Sequence, residues 1–348
     1  MGEHAADRPG ADARLDGRRV LLVLATSTGG VGRHVRSLAD GLTARGADVV
    51  VAGPASTQRL FGFASYAGVE IGERPHPVRD AAAVVGLRRL AAEADVVHAH
   101  GLRAGALAPV TRPLVVSWHN ALLTESRLGR LLQRHAARRA TVTLAASDDL
   151  ARDALAAGGR DVRVCAVAAP ELRPTGADPG LGRPLVLAVG RLHPQKGYDV
   201  LVEALPLLGD AVVAVAGDGP QRAELEASAP QVRWLGRRDD VADLYAAADV
   251  VVLPSIWEAR SLTAQEALRA GRPLVAADVG AIAALVGDGA VLVPPGDAVA
   301  LGTAVRRLLD DPDEARAIAA RGAAVAAGWP TEADTVAQVA AVYAELLS

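Results

Sequence analysis

The chain has 348 residues, 51% of them hydrophobic but only 3% aromatic, and a formal net charge of −3. That length predicts two domains of roughly 150 residues with cores of Ala, Val and Leu. The single cysteine, Cys165, excludes an internal disulfide and a multi-cysteine zinc site, so a reducing cytoplasm is the expected compartment. No nucleic-acid partner is expected.

Residues 1–17 are polar and lack the apolar centre of a secretory signal, so they read as a disordered tail. No stretch approaches the roughly 18 apolar residues of a membrane span, and a soluble protein is expected. The first half then repeats one rhythm, an apolar run followed by a helical pattern. Its runs are Val20–Ala25, Asp48–Gly53, Asp95–His100, Pro113–His119, Thr141–Ser147 and Asp161–Ala168. Such β-branched runs alternating with helices predict parallel strands covered on both faces.

The first run ends in a glycine loop, Thr26–Val35, that opens a helix. Glycines let a ligand approach the backbone, and the new helix offers free N–H groups. As a dinucleotide fingerprint it fails: Val35 stands where a third Gly or Ala belongs, and the second run ends in Gly53 instead of an acid. No Walker-type phosphate loop is present either. His98, His100 and His119 sit at strand ends, where an ordinary core histidine is the commoner outcome. No carboxylate or cysteine accompanies them, so no metal site is expected.

The segment Arg127–Arg139 contains no acid. At helical spacing Arg127, Arg130, Arg134 and Arg138 form one stripe beside Leu128, Leu131 and Leu132. The stripe suits an anionic membrane or a lipid-linked acceptor; the alternative is a solvated arginine face over a core stripe. Glu171–Pro184, rich in Pro and Gly, reads as a linker. The charge changes sign near it, with 23 Arg against 18 acids up to residue 178 (+5) and 14 basic against 22 acidic groups after it (−8). The predicted layout is therefore a tail at 1–17, domains at 18–176 and 177–330, and a final helix at 331–348 placed to pack back on the first domain.

The second half repeats the rhythm with runs Pro184–Gly190, Ala211–Gly217, Gln231–Gly236, Asp249–Ser255, Pro273–Asp278 and Ala290–Pro294. The first of these leads into Arg191 and Lys196, and Lys196 is the one lysine among 37 basic residues. Two cations beside a strand end and a helix N-terminus would hold a phosphate. Beyond the Asp249–Ser255 run stand Glu258 and, eight residues on, Glu266. The amides of Ser261 and Leu262 at the intervening helix start can bind phosphate. Each carboxylate can accept two hydrogen bonds from a vicinal diol, so the pair can hold two sets of hydroxyls, a sugar and a ribose. Thr263 and Glu266 also fit a helix capping box, which is the structural alternative.

Taken in order, Arg191 and Lys196 after a Val-Gly strand end, the Gly217–Pro220 turn, the Leu235–Ser255 segment, the E-x7-E from Glu258 to Glu266 and the Asp278–Asp297 segment resemble the retaining glycosyltransferases of family 4. The resemblance implies an α/β GT-B fold, two doubly wound Rossmann-like domains facing across a cleft, with a UDP- or GDP-sugar held by the second and the acceptor by the first. It also implies that Arg191 and Lys196 neutralise the donor diphosphate, Glu258 grips the transferred sugar and Glu266 the ribose. Gly29 and Gly30 would approach the donor phosphate or the acceptor, His119 would line the sugar side, and Arg237, Arg260, Ser261 and Leu262 would complete the substrate contacts. No cofactor or metal is implied.

Arg260 marks a departure, since the family often has E-G-F-G where this chain has Glu258-Ala259-Arg260-Ser261. Two glycines are lost and a cation is added to the loop expected to face the sugar. The acceptor class suggested is a cell-envelope glycolipid, a polysaccharide or a secondary metabolite. The alternatives are a sugar-nucleotide epimerase, a phosphorylase with pyridoxal phosphate on Lys196, or a non-catalytic nucleotide-sugar binder.

Overall fold

A computed structural model of the chain describes residues 13–121 and 127–348. It divides into two units, one running to Ala168 and resuming at Pro330–Ser348, the other spanning Ala169–Trp329.

The first unit is built on β1 (Arg19–Leu24), β2 (Asp48–Gly53), β3 (Tyr66–Gly68), β4 (Val96–His100), β5 (Leu114–Trp118), β6 (Val142–Ala145) and β7 (Val162–Val164). Their order is β3-β2-β1-β4-β5-β6-β7, and every adjacent pair is parallel. The second unit carries β8 (Leu185–Val189), β9 (Val212–Ala216), β10 (Arg233–Gly236), β11 (Val250–Leu253), β12 (Leu274–Ala277) and β13 (Val291–Val293). They lie in the order β10-β9-β8-β11-β12-β13, again parallel throughout. Both are doubly wound sheets in which the strand order reverses once, between β1 and β4 and between β8 and β11. Ligands of such sheets bind outside the carboxyl ends of the strands at that reversal.

The central strands explain why the sequence folds this way. All residues of β4, β5, β8 and β11 are buried, as apolar runs sandwiched between helices require. Eleven of the twelve predicted runs contain one strand each, and β1 starts one residue before its run, at Arg19. β3 has no such run; its Tyr-Ala-Gly pairs at the sheet edge with Val51–Gly53.

Two boundary expectations need correction. Residues 13–17, placed in a disordered tail, pack on the first unit: Leu15 is 2% exposed within the core, and its N–H donates to the Arg45 carbonyl at 3.0 Å. Residues 1–12 lie outside the described residues, as do 122–126. The segment read as a linker is tied to the second unit by the buried carboxylate of Asp243. That group accepts from Thr175 N (2.7 Å), Thr175 Oγ1 (2.8 Å) and Gly176 N (3.0 Å). Ala169 N likewise donates to Gln265 Oε1 at 3.0 Å, so the division falls at 168/169 instead of 176/177.

The C-terminal helix, Glu332–Leu347, starts from a capping box between Thr331 and Asp334 and lies in the first unit. Its Val336, Val339, Ala340 and Tyr343 join the core formed by β1 and the helix Gly30–Ala44. A polar anchor fixes it: the Tyr343 hydroxyl meets His98 Nδ1 at 2.6 Å, while His98 Nε2 meets Ser117 Oγ at 2.7 Å.

Candidate active site

In the second unit, the chain leaving β8 passes Gly190 and Arg191 into a one-turn 3-10 helix, Pro194–Lys196, capped by His193. Gly197 follows at φ +62, and a Cβ there would lie 2.0 Å from the Pro254 carbonyl oxygen. Only glycine fits, so this turn presses directly on the chain leaving β11. Two hydrogen bonds zip the loops together: Ile256 N donates to the Gln195 carbonyl at 2.8 Å, and Gln195 Nε2 donates to the Trp257 carbonyl at 3.0 Å.

The result is an ion pair at the strand-order reversal. Lys196 Nζ lies 2.5 Å from Glu258 Oε1, which also accepts from Ser255 Oγ at 2.8 Å. The Glu258 side chain is 9% exposed and that of Lys196 20%. A charged pair this enclosed is held by mutual neutralisation, and removing one partner strands the other in a poorly hydrated site. Tyr198, fully buried alongside, has its phenol pKa raised by burial first and by the Glu258 charge second.

The next helix, Leu262–Arg269, starts from Ser261, whose side chain accepts from Ala264 N at 3.4 Å. Ser261 therefore occupies the capping position, and the Thr263–Glu266 box is not formed. Thr263 instead donates to the Val189 carbonyl at the end of β8 at 3.0 Å, tying the helix start to that strand. Glu266 is 1% exposed, and its Oε2 accepts from the Tyr245 hydroxyl at 2.9 Å.

Three further candidates are arginines. Arg191 is half-buried at the exit of β8, and Arg237 is exposed after β10, the outermost strand. The Arg260 guanidinium sits over the Trp329 ring, 5.9 Å from its centroid, so this cation is held at the end of the second unit. Burial, then the Arg269 charge, lowers its pKa, and its Nε and Nη2 are buried with no hydrogen-bond partner among the described residues.

In the first unit the helix Gly30–Ala44 begins at the glycine loop, with Gly29 as its capping residue. Among the described residues nothing lies within 4 Å of where a Gly29 Cβ would stand, whereas one on Gly32 would come 2.1 Å from the Phe61 ring. Gly32 is thus a packing requirement, and the space over Gly29 is open. His119 is 9% exposed, with Nε2 3.2 Å from His100 Nδ1. Burial depresses both imidazoles well below their usual pKa, with neighbouring histidines adding to the effect.

His34 joins them, with ring centroids 5.7 Å from His100 and 5.3 Å from His119. Sequence reading did not single it out, nor Ser255, Tyr198 or Tyr245. For His34 a signal existed, since position 34 falls one helical turn after Gly30.

Comparison with known proteins fits this layout. Residues 183–311 match the family model described as glycosyl transferases group 1, and residues 29–170 match a glycosyl transferase 4-like domain. The chain is 32% identical over 322 residues to a phosphatidyl-myo-inositol mannosyltransferase of Mycobacterium leprae, covering 81% of this chain and 84% of that one. It is 29% identical over 300 residues to an alpha-D-kanosaminyltransferase of Streptomyces kanamyceticus, covering 72% and 77%. Among solved structures, Anabaena HepE in complex with UDP and glucose is similar in fold, with a TM-score of 0.82 at 22% identity over 94% of this chain and 100% of that one.

Proposed function

The chain belongs to the GT4-type glycosyltransferases of GT-B fold, and from that membership we propose that it moves a hexose from a UDP- or GDP-sugar to an acceptor hydroxyl with retention at the anomeric carbon. The observation that carries this reading is the Lys196–Glu258 pair, closed to 2.5 Å where the order of the second sheet reverses. As the anomeric carbon parts from the diphosphate, negative charge builds on the departing oxygen. Cations and helix N–H groups already fixed there favour the transition state over the ground state.

Arg191, Lys196 and the amides of Ser261 and Leu262 take the diphosphate. Its arrival recruits the Lys196 ammonium and frees the Glu258 carboxylate to accept hydrogen bonds from the sugar. Glu266 takes the ribose diol, Gly29, Gly30 and His119 carry the first unit's part, and Arg237 and Arg260 are further donor contacts. The bond from the anomeric carbon to the phosphate oxygen breaks, and the acceptor oxygen bonds on the same face. The departing phosphate takes the acceptor's proton. Two fixed cations supply the charge a divalent ion would bring, so transfer should persist in EDTA.

The relatives named above are transferases, which supports this reading over an epimerase or a phosphorylase. On the acceptor side, the helix Arg127–Arg139 favours a lipid-linked substrate at an anionic membrane. Leu128 and Leu131 are 54% and 60% exposed among the exposed Arg127, Arg130, Arg134 and Arg138, instead of forming a core stripe. No helix among the described residues is long and apolar enough to cross a membrane.

A thermal-shift screen against UDP, GDP and their sugars tests the donor. A ligand at a hundred times its Kd adds about 2.7 kcal/mol of stability. One nucleotide series should raise the midpoint in wild type and much less in Lys196→Ala. No shift with any nucleotide sugar would remove the proposal.

A further inference from the structure

We propose that His34, His100 and His119 form a binding site for a divalent transition-metal ion, of the zinc class, within the first unit. One ring nitrogen from each histidine lies within 4.8 Å of one from each of the others. The three come from separate elements: His34 from the helix after β1, His100 from the end of β4 and His119 from just beyond β5. They therefore gather outside the carboxyl ends of the strands at the reversal of the first sheet.

The planes of His100 and His119 differ by only 12° with centroids 5.5 Å apart, yet Nδ1 and Nε2 are 3.2 Å apart. Those values describe two rings placed end to end with nitrogens facing, not a face-to-face stack. The facing nitrogens share a hydrogen bond, and an ion taking the place of its proton would need them only slightly re-aimed, since bonds of about 2.0–2.1 Å in tetrahedral geometry put ligand nitrogens roughly 3.3 Å apart.

His100 is 2% exposed and is held toward His119 through Nδ1, while its other ring nitrogen, Nε2, has no hydrogen-bond partner among the described residues. His98, on the same strand, has both nitrogens occupied by Tyr343 and Ser117 and is not a ligand. It braces the site from behind, its ring 4.1 Å from that of His100. Three imidazoles without a carboxylate suit zinc, cobalt, nickel or copper and not magnesium or calcium. His34 and His119, at 8% and 9% exposure, are slightly less enclosed than His100.

Metal occupancy would commit a nitrogen of His119, so the loaded protein should transfer sugar more slowly. That consequence rests on the proposed function, but the binding itself does not. The test uses the untagged full chain, stripped with EDTA and titrated with cobalt(II) as a spectroscopic substitute for zinc.

The expected result is saturation at one equivalent with a visible band of tetrahedral nitrogen-ligated cobalt, displaced by zinc and untouched by magnesium. His34→Ala and His100→Gln should each weaken uptake by at least about 100-fold, while a His76→Gln/His135→Gln control keeps it. Circular dichroism identifies any variant that has unfolded. His34→Ala, at a less enclosed position, serves as the decisive one if His100→Gln is lost. No saturable uptake by wild type, or uptake unchanged in folded His34→Ala, would overturn the site. Uptake by a protein that releases no nucleotide from any sugar donor would overturn the proposed function and leave the site standing.

Discussion

Replacing Lys196 with methionine keeps most of the side-chain volume and removes the ammonium that lies 2.5 Å from Glu258. At an effective dielectric near 20, two unit charges about 4 Å apart interact by roughly 4 kcal/mol. Removing one partner of a buried pair costs about 3–5 kcal/mol, and the 20% exposure of Lys196 puts this case at the lower end, near 3. Glu258→Gln alone should cost a similar amount, because it strands the ammonium. The double variant strands neither charge, so its cost should fall short of the sum of the singles by about 2 kcal/mol.

Urea unfolding followed by tryptophan fluorescence reads this, since Trp234, Trp257 and Trp329 lie in the second unit. Additivity within about 0.5 kcal/mol would refute an energetically coupled pair. In turnover, Lys196→Met should lower kcat by about 10² to 10³.

The histidine cluster makes stability depend on pH. Burial lowers His34 from its usual 6.5 to about 4 and His98 to about 3. Below 6.5 the unfolded chain binds protons that the folded chain refuses, so stability is fully present above about pH 7 and falls with pH toward those values. For His34 alone the loss between pH 7 and pH 5 is about 2 kcal/mol. His34→Gln should flatten the urea-derived profile by that amount, and an unchanged slope would contradict neutral burial. For the helix Arg127–Arg139, flotation with anionic liposomes should be salt-sensitive in wild type and lost in Arg130→Glu/Arg134→Glu. Equal binding by that variant, or none by wild type, would remove the membrane contact.

Much of the fold was legible because buried parallel strands write themselves as apolar runs, and β8 and β11 follow that rule over their whole length. β3 escaped because an edge strand of three residues needs no such run. The linker reading failed at Asp243, since a distant carboxylate accepting three hydrogen bonds leaves no local mark on Glu171–Pro184.

In the site, Lys196 and Glu258 were recognisable singly from charge at strand ends, but their contact depends on Gly197 pressing against Pro254. The capping-box alternative at Thr263 fell to Ser261, two residues earlier. The partner of Arg260 is a tryptophan 69 residues away in sequence, beyond any local pattern. His34 was missed because its one local mark, a place one turn after Gly30, gains meaning only when the strands bring His100 and His119 to it.

The most direct test of the account is a crystal structure of the chain grown with UDP or GDP and the corresponding sugar donor. The account predicts diphosphate oxygens within hydrogen-bonding distance of Lys196 Nζ and Arg191, a sugar hydroxyl on Glu258, and the Lys196–Glu258 contact opened from its present 2.5 Å. A nucleotide bound elsewhere, with that contact still closed, would contradict it.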